Sequence, residues 1–542
     1  MSSEELREAN LDAMSSELAL RLREPLPDSR LGVDDDGAPT WTRFRRPRLL
    51  RDAHCMERIQ QCSVEGPPII LLGLGAGQRL AWLLENTRRV VISWDPDHAI
   101  WQYVLGVVDG ADAIREGRWK PLLGPDLLHF RVPPESERHW HPDFRAAYAD
   151  AESMLQPEGP VALMVQGELY VDDVAEGLRA LGWRVFRWDV AYLPTAEHAH
   201  ILATTGARMA LAVNTQEGLA EALRSHNIPF AVWEIDPNTS GPAPVHGPCD
   251  QTVVFTYRQH NLPALRRAGY RHVEHLPLAA PTHRYRPSER VPTVPIAFVG
   301  ASMAESGQRM QATIREMLAH EPSTLASLER VWAIQRQDPS RWIIPKILES
   351  VCPGLRARVR RTHAGVDLAL LMGEVSAAEK RLSWLSHLGP LGLQVWGDAG
   401  WSLTLAHGVS WNGWADHFTD LPKIYASAAI HVDVPRLYQQ DAVAMRIFDV
   451  MSAGGFLVAE HSPQLLELFR PGVELETYRT PAELVDKCRF YLQQPERRQA
   501  IAQAGCERVH RDHSIRVRVG QMVERLGLSA LASPGPSGPR SP

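Results

Sequence analysis

The chain of 542 residues has no apolar run of membrane-spanning length and no pair of cysteines two residues apart. The first absence removes a helix buried in a bilayer from consideration. The second concerns the six cysteines, Cys55, Cys62, Cys249, Cys352, Cys488 and Cys506. Their scatter suggests neither a disulfide framework nor a zinc site. Reduced, buried thiols of a cytoplasmic protein are the simpler reading. There is no dense Lys/Arg run, only short clusters such as "FRRPR" and "RVRR", and the net charge is -6. Nucleic acid is therefore not an expected partner. The first residues, "MSSEELREANLDAMSSELALRLREPL", read as one acidic amphipathic helix. They lack the basic and then apolar stretch of a signal peptide. No fixed-period repeat is present, and the tail, 529–542, is expected to be disordered.

What is present is the composition of a soluble globular chain, 44% apolar and 23% charged, with length for two to four domains. Short apolar runs alternate with amphipathic helical stretches, which indicates βα units, parallel sheets and the α/β class. Three blocks show this pattern. Residues 1–150 form an N-terminal Rossmann-like domain, residues 151–290 a second domain with six parallel strands, and residues 291–528 a third. A polar, Pro-rich linker at 281–294 separates the last two. The stretch 308–388 is too helical for one crossover and reads as an insertion. Ligands of such sheets bind outside the carboxyl ends of the strands, so a cleft between the second and third domains is the expected site.

Two glycine-containing segments carry candidate chemistry. In "PPIILLGLGAGQRLAWLLENTRRVVISWDPD", Gly73, Gly75 and Gly77 follow a buried strand, and Asp95 ends the next strand, near where a ribose hydroxyl would bind. The spacing is GxGxG rather than GxGxxG, and a tight turn without ligand accounts for it equally well. In "DAVAMRIFDVMSAGGFLVAE" (441–460), helical spacing stacks Asp441, Met445 and Asp449 on one face. Arg446 is placed to serve either carboxylate or a phosphate. Gly454 and Gly455 either end the helix in a left-handed cap or let a ligand approach the backbone.

The run "LPKIYASAAIHVDV", followed by "RIFDVMSAGGFLVAEHSPQLLELFRPGVELETYRTPAELVDKCRFYLQQPERRQAIAQAGCERVHRDHSIRVRV", resembles the C-terminal half of CgeB-type (spore-maturation-type) glycosyltransferases. These belong to the glycosyltransferase family 1/4-like group with the two-domain GT-B fold. "IPFAVWEIDP" and "VEHLPLAAP" are similar to segments of that family's N-terminal half. "ILLGLGAGQRLAWLLEN" and "DPDHAIWQYVL" look like the N-terminal part of motility-accessory-factor-type flagellin glycosyltransferases.

The resemblance implies transfer of a sugar from a nucleotide-diphosphate sugar to an acceptor hydroxyl, without metal, on a protein such as flagellin or on a cell-surface glycan. Residues 151–290 would then be the acceptor domain and 291–528 the donor domain. The gap between Asp441 and Asp449 is similar to the Glu-x7-Glu pattern of many GT-B enzymes, with Asp449 on the ribose and Asp441 near the donor sugar. A leaving diphosphate needs cations and N–H groups. Arg446, Gly454 and Gly455 are candidates, as are Gly300, Ser302 and Arg309 after the third block's first strand. Tyr425, Gly397, Asp398 and Trp401 are candidates for shaping the base pocket. Asp236 is the first candidate for general base, ahead of Glu234, His283 and His513. An Asx turn explains Asp236 as well. Two other readings stay open: a methyltransferase-like or nucleotide-binding module centred on Gly73 to Asp95, and a non-catalytic surface-assembly protein. Sugar, acceptor, stereochemistry and oligomeric state are not readable from the sequence.

Overall fold

The computed structural model describes residues 2–528 other than 27–29, 34–38, 44–45, 51–54, 142–149, 168, 237–241, 289–290 and 364. The expected disordered tail lies outside the described residues. The N-terminal stretch forms two helices, Ser3–Ala13 and Ser16–Arg23, rather than the single one expected. Ser15 makes the break, because its hydroxyl accepts from the amide of Leu18 and caps a new helix.

A small antiparallel sheet, not foreseen in the sequence, has the order β1-β2-β3: β1 (Leu31–Val33), β2 (Pro39–Arg43) and β3 (Arg46–Leu49). The other sheets have the α/β character that the apolar runs predict. Strands β4 (Ile69–Leu72), β5 (Val91–Asp95), β6 (Trp119–Leu123) and β7 (Glu137–Trp140) form a parallel sheet in the order β6-β5-β4-β7. The six strands expected over 158–280 are β8 (Val161–Val165), β9 (Arg184–Trp188), β10 (Ala207–Val213), β11 (Phe230–Glu234), β12 (Thr252–Thr256) and β13 (His272–His275). They lie in the order β13-β12-β11-β10-β8-β9. Strands such as β8 are buried along their whole length, as parallel strands covered on both faces are.

The last sheet contains β14 (Val294–Val299), β15 (Leu393–Trp396), β16 (Ser410–Trp411), β17 (Ala428–Asp433), β18 (Leu457–Glu460) and β19 (Glu476–Tyr478). All are parallel, in the order β16-β15-β14-β17-β18-β19. Counted from β14 this is the 3-2-1-4-5-6 order of a Rossmann sheet, so the strand order reverses between β14 and β17 and leaves a crevice at their carboxyl ends. Between β14 and β15 lie five helices: Ala304–Met317, Pro322–Gln337, Ile344–Val351, Leu355–Thr362 and Leu368–Ser386. They build a core of their own around Ile314, Leu328, Trp332, Leu348 and Met372, which accounts for the helical insertion.

The chain divides into two compact units, residues 1–213 with 218–231 and 526–542, and residues 214–217 with 232–525. Within the second, the final helix Ile515–Arg525 returns to the end of β13: Ala280 bridges Ser514, and Arg518 Nε donates to the carbonyl of Pro277 at 2.9 Å. The helix of the 441–460 segment spans only Met445–Ser452. Asp441 therefore lies outside it, and the expected stacking of Asp441 over Asp449 does not form.

Candidate functional site

The turn after β14 is built to bring a guanidinium close. Gly300 has φ +152, and a Cβ there would sit 2.6 Å from Arg446 Nη1. Arg446 forks onto Asp433 at the end of β17, with Nε at 3.0 Å and Nη2 at 2.6 Å, and also donates to the carbonyl of Val299. It thereby spans the two strands at which the order reverses. Its guanidinium lies 4.5 Å from the ring centre of Phe298. Gly397 allows the neighbouring turn to approach, since a Cβ would meet the Gly300 carbonyl at 2.2 Å.

Arg381 reaches the same place from the long helix Leu368–Ser386. It is buried, and donates to Val434 O from Nε (3.1 Å) and Nη2 (2.8 Å), and to Ala301 O from Nη1 (2.8 Å). Burial, followed by repulsion from Arg446 and Arg436, lowers its pKa to about 9. It is still charged at neutral pH, in a place where a positive charge is costly without an anion. Arg436, just beyond β17, bonds the hydroxyl of Tyr438 at 2.9 Å and pairs with Glu374 at 3.4 Å.

The three arginines line a cavity of about 270 Å³ together with Gly300, Ala301, Ala444 and Met445, and with Ile235, Tyr257 and Leu278 from the region of β11 to β13. Among the described residues its lining holds three cations and no carboxylate. The carboxyl ends of strands from two parallel sheets face this space, which is the arrangement of the GT-B fold. Ala444 is the N-cap of the helix Met445–Ser452 and has no side-chain acceptor, so the positive end of that helix also faces the cavity. The place suits a diphosphate. A second cavity of about 520 Å³ shares Ala442 and Ala444 and extends over the ends of β17 to β19, past Asp433, Glu460, His461 and Arg479, to Ser340 and Arg341 of the helical insertion.

Residues 378–524 match the family model described as glycosyl transferase-like. These residues hold Arg381, Arg436 and Arg446. Among solved structures, the chain is similar to sucrose-phosphate synthase from Thermosynechococcus elongatus, at 13% identity over 68% of this chain and 99% of that one, with a TM-score of 0.40. HepE from Anabaena, in complex with UDP and glucose, matches at 13% identity over 68% and 100%, with a TM-score of 0.36. T4 phage β-glucosyltransferase matches at 9% identity over 68% and 99%, with a TM-score of 0.38. Likeness this remote transfers no residue role or substrate. No curated protein matches significantly. No helix among the described residues is long and apolar enough to cross a membrane.

Of the residues singled out in the sequence, Arg446 and Gly300 line the first cavity, and the others are placed elsewhere. Asp441 is clamped by Arg258 at 2.5 Å and accepts the amide of His260 at 3.3 Å. Asp449 is buried beside Tyr285 and Tyr425, whose phenols are pushed well above their usual range by burial and then by its charge. Gly454, at φ +77, returns its amide to Met451 O at 3.0 Å, and Gly455 returns its own to Val450 O at 2.9 Å. That is a Schellman cap, with both amides used at the partly negative end of the helix. Ser302 is buried, its amide and hydroxyl both given to Asp398. Arg309 faces solvent and pairs with Glu305 at 3.1 Å. Tyr425 packs on Tyr285 and His431, and Trp401 is core, donating to Gly300 O at 2.8 Å.

On the other wall, Asp236 is exposed on the loop after β11, one residue beyond the lining residue Ile235. Asn214 holds it, donating to its carboxylate at 2.8 Å and accepting the amide of Ile235 at 2.9 Å. The Asx turn considered for "DPNTSG" falls largely on residues outside those described. Glu234 is buried, accepts from Asn261 at 2.9 Å, and has its pKa raised by burial. His283 is exposed. His513 is wedged between Phe448 and Phe469, its pKa lowered to about 4 by burial and then by Arg518.

Arg381, Arg436 and Asp433 were missed in the sequence. A signal for Arg381 was present: it falls on the apolar stripe 377, 384 and 385 of its helix, where a surface arginine does not belong. Arg436 comes two residues after the strand "AIHVDV", which marks a strand-end position.

Proposed function

We propose that this protein is a glycosyltransferase that moves a sugar from a nucleotide-diphosphate sugar to an acceptor hydroxyl, with 291–528 acting on the donor and 151–290 on the acceptor. The observation that carries the reading is the convergence of Arg381, Arg436 and Arg446 with the N-terminus of the helix Met445–Ser452 on a carboxylate-free cavity at a strand-order reversal. That the same residues fall inside the glycosyl transferase-like match supports it. The arginines hold the diphosphate and stabilise the negative charge that grows as the glycosidic bond breaks. Asp236 takes the acceptor's proton, with Asn214 orienting it. Asp449, buried beside Tyr285 and Tyr425 and lining neither cavity, is not assigned to the ribose, and Asp441 holds the wall of the cavity through Arg258. The CgeB-type affiliation and an acceptor such as flagellin belong to this proposal.

The test is binding and hydrolysis of UDP-, GDP- and CMP-sugars by the full chain. The reading expects one diphosphate-linked donor to bind, and Arg381→Ala to abolish turnover. Asp236→Asn should keep donor binding and lose transfer. Binding of S-adenosylmethionine with no nucleotide sugar bound would overturn it.

A further inference from the structure

The strongest unassigned cluster lies in the first unit, on β7. Among the described residues this strand ends its four-stranded sheet, beside β4. Glu137 and His139 are two residues apart and so share one face of it. Cys62, just past the short helix Met56–Gln60, comes to the same face. Its Sγ is 4.0 Å from His139 Nε2, and His139 Nε2 is 3.6 Å from Glu137 Oε2. The three donor atoms lie within 4.8 Å of one another, and each residue is partly exposed. From these three donors we infer a site for a divalent transition ion of the zinc class, separate from glycosyl transfer.

The donor set is the argument. A thiolate, an imidazole and a carboxylate are the three ligand types that zinc takes. With metal–ligand lengths of about 2.3 Å to sulfur and 2.0 to 2.1 Å to nitrogen, a tetrahedral ion places S and N about 3.5 Å apart. The Cys62 and His139 side chains need to close by only about half an ångström to reach that separation. Orientation is already provided. Arg89 donates to Pro67 O at 2.7 Å and holds Glu137 Oε1 at 2.7 Å, which leaves Oε2 turned to His139. Water completes the fourth position. Binding exchanges the thiol proton for the metal: Cys62–SH and M²⁺ give Cys62–S–M and H⁺, while the carboxylate and neutral imidazole bind without losing a proton. The ion would tie the segment leading into β4 to the sheet's end strand.

The experiment strips the full chain with a chelator and reloads it with Zn²⁺ or Co²⁺, without any nucleotide sugar, so its outcome does not depend on the proposed activity. The expected result is equimolar binding, a sulfur-to-cobalt charge-transfer band, and a raised melting temperature with Zn²⁺. Cys62→Ser and His139→Ala should lose the band, while Cys352→Ser keeps it. Arg89→Gln should weaken binding about 10- to 100-fold. If a ligand variant does not fold, the wild-type chain decides: substoichiometric Co²⁺, or Co²⁺ bound with no thiolate band, overturns the site. So does a band that survives Cys62→Ser.

Discussion

The molecule contains two glycine turns of the same design with different chemistry. In the first, Gly73, Gly75 and Gly77 follow β4, and Asp95 at the end of β5 accepts the amides of Leu74 at 3.0 Å and Asp97 at 2.9 Å. In the second, Gly300 follows β14, and Asp398, just beyond β15, accepts the amide of Ser302 at 2.7 Å. In both, the acid on the second strand caps the loop after the first, in the position that a sequence motif would give to a ribose. At the first turn Arg79 folds back onto Gly73 O, and the cavity of about 390 Å³ beside Ala76, Gly77 and Gln78 is lined by no charged side chain among the described residues. The second opens on three guanidiniums and a helix N-terminus. The contrast separates two ideas that a glycine motif merges: the turn marks a strand order, and converging charge marks a ligand.

The sharpest way to break this contrast is at the charge. Arg381→Ala should lower donor affinity about 100-fold, since charge-assisted bonds from a buried guanidinium are worth about 1.5 to 3 kcal/mol. Asp95→Asn, at the first turn, should leave donor turnover unchanged but cost about 1 to 3 kcal/mol of stability through its unmatched buried amides, read by denaturant unfolding. Donor affinity lost in Asp95→Asn and kept in Arg381→Ala would reverse the assignment.

Acid should weaken the second unit next. His431, His417 and His513 each have a pKa near 4, lowered mainly by burial. A folded value below the unfolded value of about 6.5 means stability that is complete above pH 6.5 and is lost as pH falls towards 4. Between pH 7 and 5, His431 alone should cost about 2 kcal/mol, and His431→Gln should flatten that slope in thermal melts. The smallest effect is expected at the cap. Gly454→Ala should cost about 1 kcal/mol, because it forces a Cβ into a left-handed conformation 3.1 Å from Pro287 Cβ, with donor affinity unchanged. A large loss of donor affinity there would return the phosphate role to Gly454.

Much of the fold was legible because its strands are buried on both faces and so appear as short apolar runs. The runs "VALMV", "FAVWE" and "PIAFV" needed only their length and flanking turns to be assigned. The antiparallel β1–β3 sheet and the three-residue β19 were not legible, since such short strands carry little periodicity. In the segment 441–460, spacing alone suggested one long helix with two stacked acids. Arg258, 183 residues before Asp441, draws that acid out of the helix. No local pattern encodes such a contact. Arg446 was legible as a cation but not its partner, Asp433, on a strand read only as apolar.

What the sequence determines by itself is where the chain turns and which stretches are buried, because glycine φ freedom, capping and apolar periodicity act over a few residues. The position of Arg381 on an apolar stripe belongs here too, as a misfit that could have been noticed. Tertiary structure alone decides that Arg381, Arg436 and Arg446 meet, that Asp95 and Asp398 cap turns, and that Cys62 lies beside His139. The physical reason is that electrostatic and coordination chemistry depend on distances of a few ångströms between residues tens to hundreds of positions apart, and only the packed sheets set those distances.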